Sequence, residues 1–386
     1  MFDECYERVK EVLVSFYGPF LKSACFERFV QIYEYSTRTL SPSDLQALAP
    51  LGQGAFGRVL AVVKKDTHTL YAMKEIPKAV LRKNRTGWMC LNEMQLLSRT
   101  DSPFVLNLKY SFHSERAVHL VFEMCMGGDL RQYLEKGPFS LERSRFYLAE
   151  ILLGIDHIHS LEYAYRDLKP SNILLTEDGH CKISDLGLVV KLPKPPKILK
   201  HVAGTPGYWP PEIVSRTGTY RSSDFWSLGV LLYVMLTGKV VKIEDRNSSN
   251  RTSTQSSKNM PATSDVEIEM PVRHIPMLII DPKKRLGGGK EGSQEIKEHH
   301  FFTNFDWEKL AKLKLKAPFK PPPYELDKNK KLRDKFDFKA VTDNAKEKEF
   351  YNAFQFLNAE GLYEEVVDAL EDEKAENEPQ MCGCKC

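Results

Sequence analysis

Between Tyr165 and Gly187 the chain reads Tyr165-Arg166-Asp167-Leu168-Lys169-Pro170-Ser171-Asn172, then the apolar run Ile173 to Leu175, then Asp185-Leu186-Gly187. No other stretch restricts the fold as much. Asp167, Lys169 and Asn172 converge only where the backbone makes a tight, buried loop, and a hairpin must then return Asp185 to the same spot. An acid, an ammonium, an amide and a second acid at one point can hold a hydroxyl, a phosphate and Mg²⁺ for phosphoryl transfer. In this reading Asp167 orients the hydroxyl and accepts its proton, and Lys169 screens the moving phosphoryl group. Asn172 and Asp185 offer oxygen ligands to Mg²⁺, a hard cation that takes few carboxylates and completes its shell with phosphate oxygens. Taken alone, an Asp-Leu-Lys-Pro turn reads equally well as a surface turn.

The upstream sequence supplies the missing parts. From Leu51 to Met73 short β-rich runs (Val59 to Val63, Leu70 to Met73) are punctuated by Gly52, Gly54 and Gly57 and separated by a polar turn, Lys64 to His68. Glycines here let backbone amides approach a polyphosphate. The pattern is strand-loop-strand, whereas a dinucleotide fingerprint requires strand-loop-helix. Lys74 lies 17 residues past Gly57 on a strand, in reach of the phosphates, and Glu93 in the helical stretch Met89 to Leu97 can hold its ammonium. The competing reading, two solvated charges, is weakened by the apolar neighbours Ala72 and Met73. Leu106 to Phe122 gives two more strands. Met126-Gly127-Gly128-Asp129 is a hinge into a helical part, with a long helix around Arg143 to His159 and an apolar one from Asp224 to Leu236. Glu212 and Arg285 suit a buried ion pair. Asp224 is either a helix N-cap or a holder of the catalytic-loop backbone.

The chain has 386 residues, 42% of them hydrophobic, enough for one large catalytic unit with smaller flanks. A net charge of +3 gives no argument for nucleic acid. Without an apolar leader or an 18-residue apolar run, the expectation is a cytoplasmic protein. Single cysteines (Cys5, Cys25, Cys90, Cys125, Cys181) fit reduced thiols. Residues 1–44 read as two amphipathic helices, 246–265 as a polar flexible insert, 303–345 as a basic, proline-punctuated tail, and 346–386 as a helical extension with an acidic, cysteine-rich end. Cys382, Cys384 and Cys386 suit S-acylation at a membrane surface, or else a redox-sensitive or metal-scavenging tail.

From residue 45 to 302 the chain resembles a eukaryotic protein kinase: an α+β, bilobal fold with an N-lobe (45–125) of antiparallel sheet plus helix and a mostly helical C-lobe (126–302). Tyr165-Arg166-Asp167, Pro318-Phe319-Lys320-Pro321 and Lys284-Arg285-Leu286-Gly287 resemble the AGC group. Asp185-Leu186-Gly187, with Leu where most kinases have Phe, is similar to the G-protein-coupled receptor kinases, and residues 4–40 and 350–370 resemble parts of their regulator-of-G-protein-signalling homology domain. The resemblance implies ATP and Mg²⁺ as cofactors and an ATP site of Leu51, Gly52, Gly54, Gly57, Val59, Ala72 and Lys74. It makes Phe122 a gatekeeper, Glu123 and Cys125 the adenine-binding hinge, and Asp129 a ribose contact. No Ser or Thr lies between Ser184 and Thr205, so a phosphate latch in the activation segment is excluded. Ser171 stands where basic-directed AGC kinases carry Glu. The implied activity is Ser/Thr phosphorylation of activated G-protein-coupled receptors, with G-protein subunits as further partners. Two other readings stand beside it: a catalytically weak scaffold binding those components, and an AGC kinase with soluble substrates.

Overall fold

The computed structural model describes residues 40–54, 56–193, 199–239, 275–323, 325–327 and 336–359, with scattered positions within 14–33, 244–245, 266–267 and 362–366. The chain divides into two compact units, one of residues 1–79, 109–122 and 328–386, the other of 80–108 and 123–327.

The first unit is built on strands β1 (Leu45–Gln53), β2 (Arg58–Lys64), β3 (Leu70–Pro77), β4 (Leu108–His113) and β5 (Ala117–Glu123), in the order β1-β2-β3-β5-β4. Antiparallel register sets Val59 opposite Lys74 and Ala61 opposite Ala72. Side chains alternate along a strand, so Val59, Ala61, Ala72 and Lys74 share one face while Leu60, Val62, Tyr71 and Met73 share the other. The second face forms a core with Leu45, Tyr110, Phe112, Val121, Leu362 and Val366.

His119, on β5, is buried against the Phe112 ring, centroids 4.8 Å apart. Burial pushes its pKa down to about 4, helped by the charges of His113, Arg58 and Lys78. Unfolded, the imidazole titrates near the usual ~6.5. Its contribution is therefore complete above that pH and is lost as pH falls through 4. Urea titrations should show about 3 kcal/mol less stability from this group at the acid end, and His119→Gln should flatten that part of the curve.

The second unit is mainly helical. Helices α1 (Lys78–Asn84) and α2 (Gly87–Leu97) lead in, and α3 (Leu130–Leu134), α4 (Leu141–Ser160), α5 (Pro211–Val214), α6 (Arg221–Thr237), α7 (Ser293–Lys297) and α8 (Trp307–Ala311) follow. The Ser140 side chain caps α4 by accepting from the Arg143 N–H at 3.2 Å. Helix α6 is apolar nearly all round and is buried from Ser222 to Met235, as such a helix must be. Two-residue strands β6 (Tyr163–Ala164) and β9 (Val190–Lys191) pair, as do β7 (Ile173–Leu175) with β8 (Cys181–Ile183) and β10 (Glu244–Asp245) with β11 (Val266–Glu267). The Leu106 N–H donates to Ile183 O, and the Ile183 N–H to Phe104 O, both at 2.8 Å. These bonds tie residues 80–108, with α2, into the helical unit, although the sequence reading counts them with the N-lobe.

Near the C-terminus the helical extension expected over 346–386 is broken by a short strand. Helix α9 (Ala345–Asn352) is capped reciprocally by Asn344 and Glu347, and the chain then turns into strand β12 (Phe356–Leu357) on the edge of β4. The Ser111 hydroxyl donates to Phe354 O, and the Asn358 N–H to Lys109 O at 2.9 Å. Pairing with open backbone groups of an edge strand thus outweighs local helical preference. At the other end, residues 16–21 are helical, and Phe16, Tyr17, Phe29 and Tyr33 are more than half exposed. Residues 1–13, the insert 246–265, residues 328–335 and the end of the chain with Cys382, Cys384 and Cys386 lie outside the described residues. No described helix is long and apolar enough to cross a membrane.

Candidate active site

The loop between β6 and β7 gathers four polar side chains. Asp167 is 5% exposed, and both its oxygens are engaged. Oδ2 accepts from Lys169 Nζ at 2.7 Å and Asn172 Nδ2 at 3.0 Å, while Oδ1 accepts from the Thr205 hydroxyl at 2.6 Å. Lys169 Nζ also donates to Thr205 Oγ1 at 2.8 Å. Asn172 commits its nitrogen to Asp167, leaving its oxygen as the atom suited to a cation. The Ser184 N–H and hydroxyl both donate to Asn172 O, at 2.8 and 3.0 Å, which sets the exposed carboxylate of Asp185 one residue beyond. No cluster of three or more His, Cys, Asp or Glu side chains suited to a metal occurs among the described residues. An amide oxygen and a carboxylate are the ligand types that suit a hard cation such as Mg²⁺, which takes its other ligands from phosphate and water.

Thr205 has no role in the sequence reading. It reaches Asp167 because Gly204, at φ +108°, passes so close to the loop that a Cβ would lie 2.3 Å from Arg166 O. The glycine preceding it is the sequence signal for that approach. Backbone strain marks the same place: Arg166 and Asp185 hold φ of +71° and +51°. Such conformations cost about 1–3 kcal/mol each and persist only where surroundings enforce them.

Those surroundings centre on Asp224. Its oxygens accept the Arg166 N–H at 2.8 Å and the Tyr165 N–H at 2.9 Å, and His159 Nε2 sits 2.8 Å from Oδ2. Asp224 thus holds the catalytic-loop backbone, while Tyr220 takes the N-cap position of α6. The Tyr165 hydroxyl donates to Ser184 O at 2.6 Å, and complete burial, then the charges of Asp167 and Asp185, keep it protonated. Glu212 and Arg285 form a bidentate pair at 2.7 and 2.9 Å, both side chains buried. Ser223 also donates to Glu212, and Arg285 to the Ser222, Ile279 and Ile280 carbonyls.

Of the hinge residues, Glu123 binds Lys182 at 2.8 and 3.0 Å and accepts the Asn107 N–H at 2.7 Å, so its carboxylate is a tether within the helical unit. Burial, then the Glu123 charge, pushes the Cys125 thiol up to about 12, which keeps it inert. Asp129 caps α3 by accepting the Gln132 N–H at 3.0 Å, and burial raises its pKa. Glu93 is buried on α2.

In the sheet unit, Val59, Ala72 and Lys74 share one face, with Phe122 buried at the end of β5 and Leu51 and Gly52 in the irregular end of β1. The three loop glycines differ. A Cβ at Gly57 would lie 2.0 Å from Glu75 O on the neighbouring strand, whereas one at Gly52 meets nothing within 4 Å and one at Gly54 only Gly57 O at 3.9 Å. Gly57 is therefore a packing requirement of the protein itself; only Gly52 and Gly54 leave space for a ligand. Gly57→Ala should lower the melting temperature measurably and Gly52→Ala should not, as thermal unfolding without nucleotide will test.

A protein kinase domain model matches residues 45–302. Ribosomal protein S6 kinase 2 alpha of Gallus gallus is 38% identical over 335 residues, 84% of this chain and 44% of the relative. Ribosomal protein S6 kinase alpha-1 of Homo sapiens is equally similar over 335 residues, covering 45% of its length, and alpha-3 of Mus musculus is 40% identical over 285 residues, 72% of this chain and 38% of the relative. The chain spans less than half the length of these relatives. These relatives are named as ribosomal protein S6 kinases and not as receptor kinases, and the domain match starts past residues 4–40. The chain belongs to the protein kinase family.

Proposed function

We propose that this chain transfers the γ-phosphoryl group of ATP, with Mg²⁺, to serine or threonine hydroxyls of protein substrates. The observation that carries the reading is the Asp167 carboxylate held by Lys169, Asn172 and Thr205. Asp167 receives the hydroxyl proton, Lys169 offsets charge on the moving group, and Asn172 and Asp185 hold the metal. Lys74 is assigned to the phosphates, Glu93 to orienting it, and Leu51, Val59, Ala72, Phe122 and the hinge backbone to the adenine. ATP bound with Mg²⁺ supplies the electrophilic phosphorus.

Soluble proteins are the proposed substrates, because the relatives are named for ribosomal protein S6. A second reading, phosphorylation of activated receptors, is favoured by Leu186 in Asp185-Leu186-Gly187 and by Ser171 in place of a basic-directing Glu. Radiolabelled ATP, a basic peptide, an acidic peptide and agonist-activated receptor membranes separate the two. Preference for soluble peptides supports the first, and label confined to receptor the second. No transfer to any of them, with a thermal shift on adding MgATP no larger than in Lys74→Met, rejects the enzyme assignment.

A further inference from the structure

Behind the sheet, Glu365 is buried with hydroxyl and ammonium groups around its two oxygens. Oε1 accepts from the Thr67 hydroxyl and lies 3.0 Å from Lys64 Nζ; Oε2 accepts from Tyr71 Oη at 2.6 Å and from Tyr110 Oη. Lys64, also 2.8 Å from Asp66, is 2% exposed. The donors stand on β2, the turn after it, β3 and β4, so the sheet itself assembles the socket. Around it, Tyr71 and Tyr110 meet edge to face at 5.7 Å. Leu362 and Val366, on either side of Glu365 in sequence, are 2% and 1% exposed in the adjoining core. None of these residues belongs to the catalytic cluster.

We propose that the outer face of this sheet is a carboxylate-reading docking site, filled in cis by the chain's own Leu362, Glu365 and Val366, with Glu365 as the residue read. Three hydroxyl donors and an ammonium 3.0 Å away recognise a charged carboxylate, where a neutral amide would turn an N–H toward some of those groups. Burial keeps both phenols protonated, so they remain donors. Leu362 and Val366 supply apolar area, and β12 supplies backbone pairing. Removing the carboxylate leaves the Thr67 hydroxyl and two phenols without this acceptor in a closed core, which favours release of the segment.

The test uses the full chain carrying Glu365→Ala and a fluorescein-labelled peptide of residues 352–370. The unmodified peptide should bind about tenfold tighter than the same peptide with Glu365→Gln, a factor typical of one charged hydrogen bond. Adding Tyr71→Phe and Tyr110→Phe to the chain should erase that difference. Equal affinity of the two peptides, or no binding of either, overturns the proposal. Should Glu365→Ala fail to fold, the Tyr71→Phe, Tyr110→Phe chain with Glu365 intact is read by hydrogen exchange: faster exchange at Phe356 and Leu357 supports the site, and unchanged exchange overturns it. Neither readout depends on kinase activity.

Discussion

Asp167→Asn is expected to slow phosphoryl transfer by about 10²–10⁴-fold, the usual worth of a positioned general base. The substitution keeps the shape of the side chain, and its remaining oxygen can still accept from Lys169 and Asn172. Thr205 can rotate its hydroxyl to accept from the new amide, where it now donates to Oδ1 at 2.6 Å. Thermal unfolding should therefore move little while γ-phosphate incorporation collapses. Retention of most of the activity would remove Asp167 from the role of base.

Arg285→Ala carries the largest expected cost in stability, about 3–5 kcal/mol. Glu212 would stay buried with the Ser223 hydroxyl still donating to it, and the Ser222, Ile279 and Ile280 carbonyls would lose the Arg285 donors. A lone buried carboxylate pays the desolvation of the pair without its attraction. Replacing both partners by apolar side chains of similar volume should recover most of the loss. Urea unfolding of Arg285→Ala, Glu212→Leu and the double variant Arg285→Met, Glu212→Leu measures this directly; a double variant no better than the worse single one would contradict it.

Local chemistry was readable from the chain, and long-range closure was not. The β1–β3 hairpins follow from period-two runs broken by glycine and a polar turn, and α6 from an apolar run too long for a strand. Thr205 escaped because it meets Asp167 only through a return of 38 residues, which no local pattern encodes. Asp224 stood open between cap and backbone holder because both uses need an Asp in a first helical turn; only the position of the Tyr165 and Arg166 amides decides. Glu365 reads as one acid among many, since Tyr71 lies 294 residues away. The helical extension is broken at Phe356 because an open strand edge offers better partners than the next turn of helix.

That edge has a practical consequence. Among the five strands β4 lies at one edge, and β12 pairs with it at Tyr110 and Ser111. A fragment cut at residue 302, where the domain match ends, would present the bare backbone of β4 together with the apolar surface that Leu362 and Val366 now cover. Bare edges of this kind pair with one another and seed aggregates. Solubility of the isolated catalytic domain, rather than its chemistry, is then governed by whether β12 and the residues that follow it are kept: fragments ending before β12 should self-associate with rising concentration, and the full chain should stay dispersed.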